Sequence, residues 1–302
     1  MKIILIGSIE SAAKAENYYD SYIDTFNEAI GQAAINATID FVFLDDLVLS
    51  VGDGNIEVFN VNSGTSLSDY DLIFVRGLGF RHRFDELKLI SVFARERGIQ
   101  IINDYSSFRD SSKLGQAVKF HELDLPVSST VFLNRAVLAG NTPLPFGFPC
   151  IMKASFGAHG NDNYLVHSLD EIKQISAKSR SMRFVLQRFV KNEGDFRILV
   201  IGDEVIVIGR RAVGDSHLNN TSQGASAEII PLENLSSAMI DDAKKVTASL
   251  DMTFAGVDAI IDVDTGDYYF LEVNSQPQLM SGAFVDVKTS LIAKFLTQAS
   301  GE

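Results

Sequence analysis

The sequence predicts an α/β region followed by two α+β lobes. Three observations carry this. The first hundred residues alternate short apolar strands with helical stretches. Strands dominate from Cys150 onward. Two apolar runs near the end, Ala255–Ile261 and Tyr269–Asn274, flank a turn at Asp264–Asp267. The first pattern argues for an open, mostly parallel sheet, and the others for antiparallel strands joined by tight turns.

The elements follow in order. Ile3–Ile6 reads as a buried strand closed by Gly7-Ser8, and a helical stretch covers Ala12–Ala34. Strands are expected at Phe41–Leu44 and Leu72–Val75, with an edge strand at Ile56–Val61. Glu86–Arg97 is amphipathic and stops at Gly98, as a C-cap glycine stops a helix. Ile99–Ile102 is a strand, Ser112–Leu123 a helix and Ser128–Phe132 a strand. Asn141–Pro149 holds three of the six prolines and reads as a linker. Strands then fall at Cys150–Lys153, Tyr164–Val166, Phe184–Gln187, Phe196–Ile201 and Val205–Ile208, the last two joined by Gly202-Asp203. Helices are expected at Leu235–Leu250 and Val285–Leu296. The divisions are 1–104 for the α/β region, 105–186 for the smaller lobe and 187–302 for the larger.

Bulk properties exclude several classes. A net charge of −13 repels nucleic acid and anionic membrane. No apolar run approaches membrane length. The single cysteine, Cys150, excludes an internal disulfide and fits a reducing, cytoplasmic setting; between Pro149 and Ile151 it reads as a buried strand residue. The chain has no G-x-G-x-x-G after its first strand, no Gly-Lys-Ser/Thr and no Gly-x-Ser-x-Gly, so dinucleotide, Walker-loop and serine-hydrolase readings lack support. The histidines at 82, 121, 159, 167 and 217 have no metal-ligand spacing.

Five constellations could carry chemistry. An antiparallel pairing of the last two strands puts Asp258 beside Glu272, and alternation points Glu272 and Asn274 the same way. Three oxygen ligands on one face suit Mg²⁺; the apolar surroundings weigh against a merely solvated face. Lys153 ends a strand before a loop containing Gly157 and Gly160, where charge and backbone N–H groups could hold phosphate; an edge lysine blocking aggregation is the plainer alternative. Gln187-Arg188-Phe189 closes a strand and leads to Asp195, suited to an adenine edge and a ribose hydroxyl, or to nothing more than a loop exit. Arg197 and Arg210-Arg211 sit at the open end of one hairpin, with an anion between them or Asp195 as partner. Arg76-Gly77, near Arg81, His82 and Arg83, reads as a solvated basic loop or as a carboxylate-binding segment.

Taken in chain order, these segments resemble one family. They are Ile151-Met152-Lys153, Leu186–Phe189, Asp195–Val205, Arg210-Arg211-Ala212, Asn219–Ala225, Gly256-Val257-Asp258, and Leu271–Asn274 with Pro277. They resemble the ATP-grasp carboxylate–amine ligases, and within them the RimK-like branch that adds amino acids to carboxyl groups. The likeness spans residues 100–298. It implies an ATP-grasp fold, two α+β lobes sandwiching ATP, preceded by a Rossmann-like N-terminal domain.

The resemblance also implies roles. Lys113 and Lys153 would hold the α- and β-phosphates, while Gln187, Arg188 and Phe189 line the adenine pocket beside Asp195. Asp258, Glu272 and Asn274 would hold two Mg²⁺ ions, with Mn²⁺ as a substitute. Arg211, with Arg197, would stabilise the transferring phosphoryl group, and Asn220 would complete that end of the site. A carboxylate would be phosphorylated and the acyl phosphate attacked by an amine, under a glycine-loop lid. Implied partners are a small-molecule, peptide or protein-tail acceptor and an amine donor, without nucleic acid or membrane; a homo-oligomer is open. Gln278 stands where the branch usually has glycine, in the Ser275–Met280 turn where the acceptor should sit. That departure motivates an alternative, a catalytically silent ATP-binding module or regulatory partner subunit.

Overall fold

A computed structural model describes residues 1–13, 17–77, 83–106, 112–140, 143–156, 162–179, 183–211 and 226–301. The N-terminal sheet is built from β1 (Lys2–Gly7), β2 (Thr38–Phe43), β5 (Leu72–Val75) and β6 (Gln100–Ile102) in the order β2–β1–β5–β6. All its pairings are parallel. Its helices are the short α1 (Ile9–Ala12), α2 (Tyr18–Ala33) and α3 (Phe84–Glu96). Ile3 and Leu5 pack in the core with α2, while Ile4 and Ile6 pack in the core with α3. Both faces are therefore covered, which is why β1 is a continuous apolar run.

A hairpin of β3 (Leu47–Gly52) and β4 (Asn55–Asn60) stands apart from this sheet. Its turn, Asp53-Gly54, has φ of 52° and 75°, the left-handed pair a type I′ turn requires. The edge strand expected at Ile56–Val61 thus has a partner strand, which the Asp-Gly dipeptide signals.

The central sheet follows α4 (Lys113–Glu122). It comprises β7 (Thr130–Phe132), β8 (Cys150–Ala154), β9 (Asn163–Val166) and β10 (Phe184–Arg188), antiparallel in the order β7–β10–β8–β9. Cys150, Met152, Ala154, Phe184 and Leu186 form its core with residues of α5 (Arg135–Leu138) and α6 (Leu169–Lys178). Alternation puts Ile151, Lys153, Val185 and Gln187 on the other face. The helix α6 is an addition to the sequence reading; Ser168 caps it by accepting from the Glu171 N–H at 3.3 Å, a Ser-x-x-Glu start. Strand β10 pairs through Arg188, so the expected division at 186/187 falls inside a strand of the central sheet.

The C-terminal sheet holds β11 (Asp195–Ile201), β12 (Glu204–Arg211), β13 (Ser226–Ile230), β14 (Phe254–Ile261) and β15 (Tyr268–Asn274) in the order β13–β12–β11–β14–β15. Ile198, Val200, Val207, Val257, Phe270 and Val273 pack in one core with Met239, Ala243 and Val246 of α7 (Ser237–Ser249). On the opposite face, Leu199 shares a core with Leu291, Ile292 and Phe295 of α8 (Val285–Ser300).

Both of those cores run on into the N-terminal sheet, whereas the central sheet has a core of its own. The two outer units are therefore one packed body. Buried Asn103 adds a clamp between them: its Nδ2 donates to the Phe254 and Ser275 carbonyls at 2.8 Å each, and its Oδ1 accepts from Thr253 and Phe254 at 2.7 and 2.8 Å. The central lobe meets this body through local contacts. Phe270 donates its N–H to Pro126 O at 2.9 Å, Lys113 donates its own to Ser155 O at 2.9 Å, and Arg188 lies over the Tyr269 ring at 4.9 Å. Among the described residues no helix is long and apolar enough to cross a membrane.

Candidate active site

The site grows out of the pairing of β14 with β15. Asp258 stands opposite Glu272 and Gly256 opposite Asn274, in the register the sequence suggested. Between Asp258 and Ala259 the register shifts by one residue, a bulge that leaves Leu271 unpaired. Phe270 and Val273 thereby both reach the buried core although three residues apart, while Tyr269, Glu272 and Asn274 share the other face. Simple alternation cannot produce this phase. Asn274 Nδ2 donates to Glu272 Oε1 at 3.0 Å.

The strand β11 lies beside β14 and sets Arg197 opposite Asp258. Arg197 grips that carboxylate with two nitrogens: Nε donates to Oδ1, and Nη2 donates to Oδ2 at 2.8 Å. A Cβ on Gly256 would lie 3.0 Å from Arg197 Cδ and Nη1 and 3.2 Å from Pro277 Cβ, so the bare glycine makes room for the guanidinium. From β12, Arg210 donates through Nε to Asp195 Oδ1 at 2.6 Å and brings Nη2 within 3.1 Å of Asp258 Oδ1. Burial opposes its charge, but Asp258 and Asp195 outweigh burial and hold the guanidinium firmly protonated. Burial and the Asp258 charge push the Asp195 carboxyl up, against the pull of Arg210.

Arg211 is not brought to this cluster. Arg197 pairs with Ile208, so Arg210 falls on the site face and Arg211 on the other. The Arg211 side chain is 63% exposed and lies 3.7 Å from Glu228. The cation that completes the cluster is Arg210, its neighbour in sequence.

Phosphate-binding candidates come from the other walls. Lys113 begins α4 and reaches Glu272 Oε2 at 3.4 Å. Lys153 projects from the face of the central sheet that its own core leaves open. Burial lowers its pKa to about 8, with Glu272 opposing and Lys113 reinforcing the shift. Glu272 moves the opposite way. Burial would raise its pKa, but Lys113, the Asn274 amide, Arg197 and Lys153 together hold it at about 2. It is a carboxylate at any physiological pH.

Gln187 shares the Lys153 face and is buried, its Nε2 donating to Thr130 Oγ1 at 2.9 Å. Arg188 is spent on the Tyr269 ring, and Phe189 follows half-buried beyond the strand. Asn220 and the glycines of the 157–160 loop lie outside the described residues. Arg76 is not a solvated loop residue. It is 5% exposed, donates through Nε to Tyr22 Oη at 2.6 Å and through Nη2 to the Pro277 carbonyl. Gly77 N–H donates to Gln276 Oε1 at 3.0 Å. The N-terminal unit thus holds the turn after β15 from behind.

Sequence reading missed Lys288, in the first turn of α8. It is 3% exposed and lines a pocket with Arg197, Arg210, Pro277, Gln278 and apolar neighbours. A single lysine on an amphipathic helix carries no signal of such a place.

The residues fit a magnesium ion. Asp258, Glu272 and the Asn274 amide oxygen are hard donors from two paired strands, and Glu272 is held ionised. Among the described residues no group of three or more His, Cys, Asp and Glu side chains gathers as a metal site. The fit therefore rests on the asparagine as third donor and on oxygens a nucleotide would bring.

The fold and this cluster of cations facing paired carboxylates define an ATP-grasp protein of the carboxylate–amine ligase class. The chain belongs to the RimK-like ATP-grasp family, whose domain matches residues 127–298. It is 28% identical over 217 residues to tetrahydromethanopterin:alpha-L-glutamate ligase of Methanosarcina acetivorans, covering 64% of either chain. It is 27% identical over 249 residues to the alpha-aminoadipate–LysW ligase LysX of Saccharolobus solfataricus, covering 80% of this chain and 87% of that one. Among solved structures it shares its fold with the ATP-grasp ligase PsnB, in complex with a minimal precursor, Mg and ADP. There the TM-score is 0.68 at 17% identity, with 97% of each chain covered. ATP and magnesium are the ligands typical of this family. These relatives are named as ligases, and the silent-module alternative draws no support from them.

Proposed function

We propose that this protein phosphorylates a carboxylate with ATP and joins the resulting acyl group to an amine, releasing ADP and phosphate. The observation that carries this reading is the convergence of Lys113 from α4 and Arg197 from β11 on the paired carboxylates Glu272 and Asp258. Such a site works by positioning and charge neutralisation rather than by covalent chemistry of its own.

Lys153 and Lys113, from neighbouring segments, would bind the nucleotide phosphates. The backbone of Gln187–Phe189 would meet the adenine edge. Two Mg²⁺ ions, held by Asp258, Glu272 and Asn274, would supply neutralisation of the phosphate charge. Arg197 and Arg210 would orient the carboxylate and stabilise charge on the transferring group. By analogy with the glutamate, aminoadipate and peptide-precursor ligases it resembles, the substrates would be amino acids or peptides.

The test is nucleotide release with panels of amino acids and peptides as acid and amine. ADP with stoichiometric phosphate is expected, and AMP would sink the reading. Glu272→Ala and Lys153→Ala should each abolish turnover with the circular dichroism spectrum unchanged.

A further inference from the structure

Among the described residues, Lys288 is an unmatched charge at the site. Arg197 and Arg210 face two carboxylates, Asp258 and Asp195. Lys288 has no ion-pair partner among the described residues; its Nζ donates to the Ser281 carbonyl at 3.0 Å. A buried ammonium held by one carbonyl is costly unless something else completes its shell. Burial lowers its pKa to about 8, and the Arg197 charge adds to that.

Lys288 and Gln278 line the same pocket as Arg197 and Arg210. Arg197 lines this pocket and also grips Asp258, which stands opposite Glu272 in the paired strands. Arg197 therefore stands between the phosphate-facing end and a second cationic end. A carboxylate reacting at Arg197 would have the rest of its molecule pointing toward Lys288 and the Gln278 amide.

Resting on the ligase reading above, we propose that Lys288 and Gln278 form a subsite for a second carboxylate of the acid substrate. The protein would then select a dicarboxylate, or a chain carrying two such groups a few bonds apart, over its neutral isostere. An ammonium and an amide donor lining one pocket distinguish a carboxylate from a carboxamide by charge, since the amide leaves the ammonium unpaired.

The experiment uses the full chain and two probes of nearly equal shape, glutarate and its mono-amide. Binding is measured by calorimetry, and acyl phosphate formation as hydroxamate with ATP, Mg²⁺ and hydroxylamine. Glutarate should bind about tenfold or more tightly than the mono-amide, the scale of a hydrogen bond to a charged group. Lys288→Met should collapse that ratio toward one, and Lys288→Arg should keep most of it. Equal affinity of the two probes for the unaltered protein overturns the proposal, whether or not the variants fold. A ratio that survives in Lys288→Met overturns it as well. Glutarate selectivity without hydroxamate from any acid would instead count against the ligase reading alone.

Discussion

Gln116 and Val273 hold each other by two hydrogen bonds: Gln116 Nε2 donates to the Val273 carbonyl, and the Val273 N–H donates to Gln116 Oε1, both at 3.0 Å. The strand β15 is the edge of its sheet, and the amide side chain pairs with that edge as a further strand would. The clamp fixes α4 against β15, one helical turn from Lys113 and one residue from Glu272. Gln116→Leu would leave a buried N–H and C=O unpaired, costing about 2–4 kcal/mol. Urea denaturation should show that loss, and KM for ATP should rise as Lys113 loses its seat. A variant as stable as the parent would mean that the clamp contributes nothing.

Lys153 makes nucleotide binding depend on protons. Its pKa is lowered from 10.5 to about 8 by burial, so at pH 9 most of the nucleotide-free protein carries it neutral. A bound phosphate favours the ammonium and moves the pKa back up. Binding of Mg-ATP at pH 9 should therefore take up protons, up to about one per site. Calorimetry in buffers of different ionisation enthalpy measures this. Lys153→Met should remove the uptake, and an unchanged uptake in that variant would assign it to another group.

Gly256 sets the position of Arg197. A methyl group there meets the Arg197 side chain at 3.0 Å and Pro277 at 3.2 Å, tighter than ordinary contact. Gly256→Ala should tilt the guanidinium off Asp258 at a cost of about 1–3 kcal/mol. The rate of ADP release should fall by about 5- to 160-fold, the kinetic equivalent of that cost. Unchanged kcat with unchanged stability would show that Arg197 has slack.

The adjacent arginines should behave differently on mutation. Arg210→Ala strips a counter-charge from Asp195 and Asp258, all three being nearly buried. Breaking such a cluster from one side costs about 3–5 kcal/mol. Arg211 forms an exposed contact of 3.7 Å with Glu228, and Arg211→Ala should cost at most about 1 kcal/mol. Chemical denaturation of the two variants should separate them clearly, and the reverse order would place Arg211 inside the site.

Much of this was legible along the chain. Most strands and helices lie within a few residues of where periodicity and turn residues put them, because strand alternation and capping are local. The Asp258–Glu272 pairing followed from one hairpin. The helix α6 and the strand β3 are signalled locally, by Ser168-x-x-Glu171 and by Asp53-Gly54. The choice between Arg210 and Arg211 was not legible, because it turns on a register of one residue. Gln116, Asn103 and Lys288 were invisible, since each acts on an element more than a hundred residues away or, for Lys288, on a pocket assembled from three strands and a turn.

The sequence by itself determined the elements, the ordered cations and carboxylates, and through them the family. These depend on residue type and short-range spacing, which a linear chain displays. The tertiary structure decided which faces meet. A one-residue bulge at Leu271 turns Tyr269 and Glu272 to the site while Phe270 and Val273 fill the core. Two shared cores fuse the N-terminal and C-terminal units and leave the central lobe separately packed. Folding then carries Lys288 out of water to face Arg197, a placement governed by the packing of α8 rather than by any motif around the lysine.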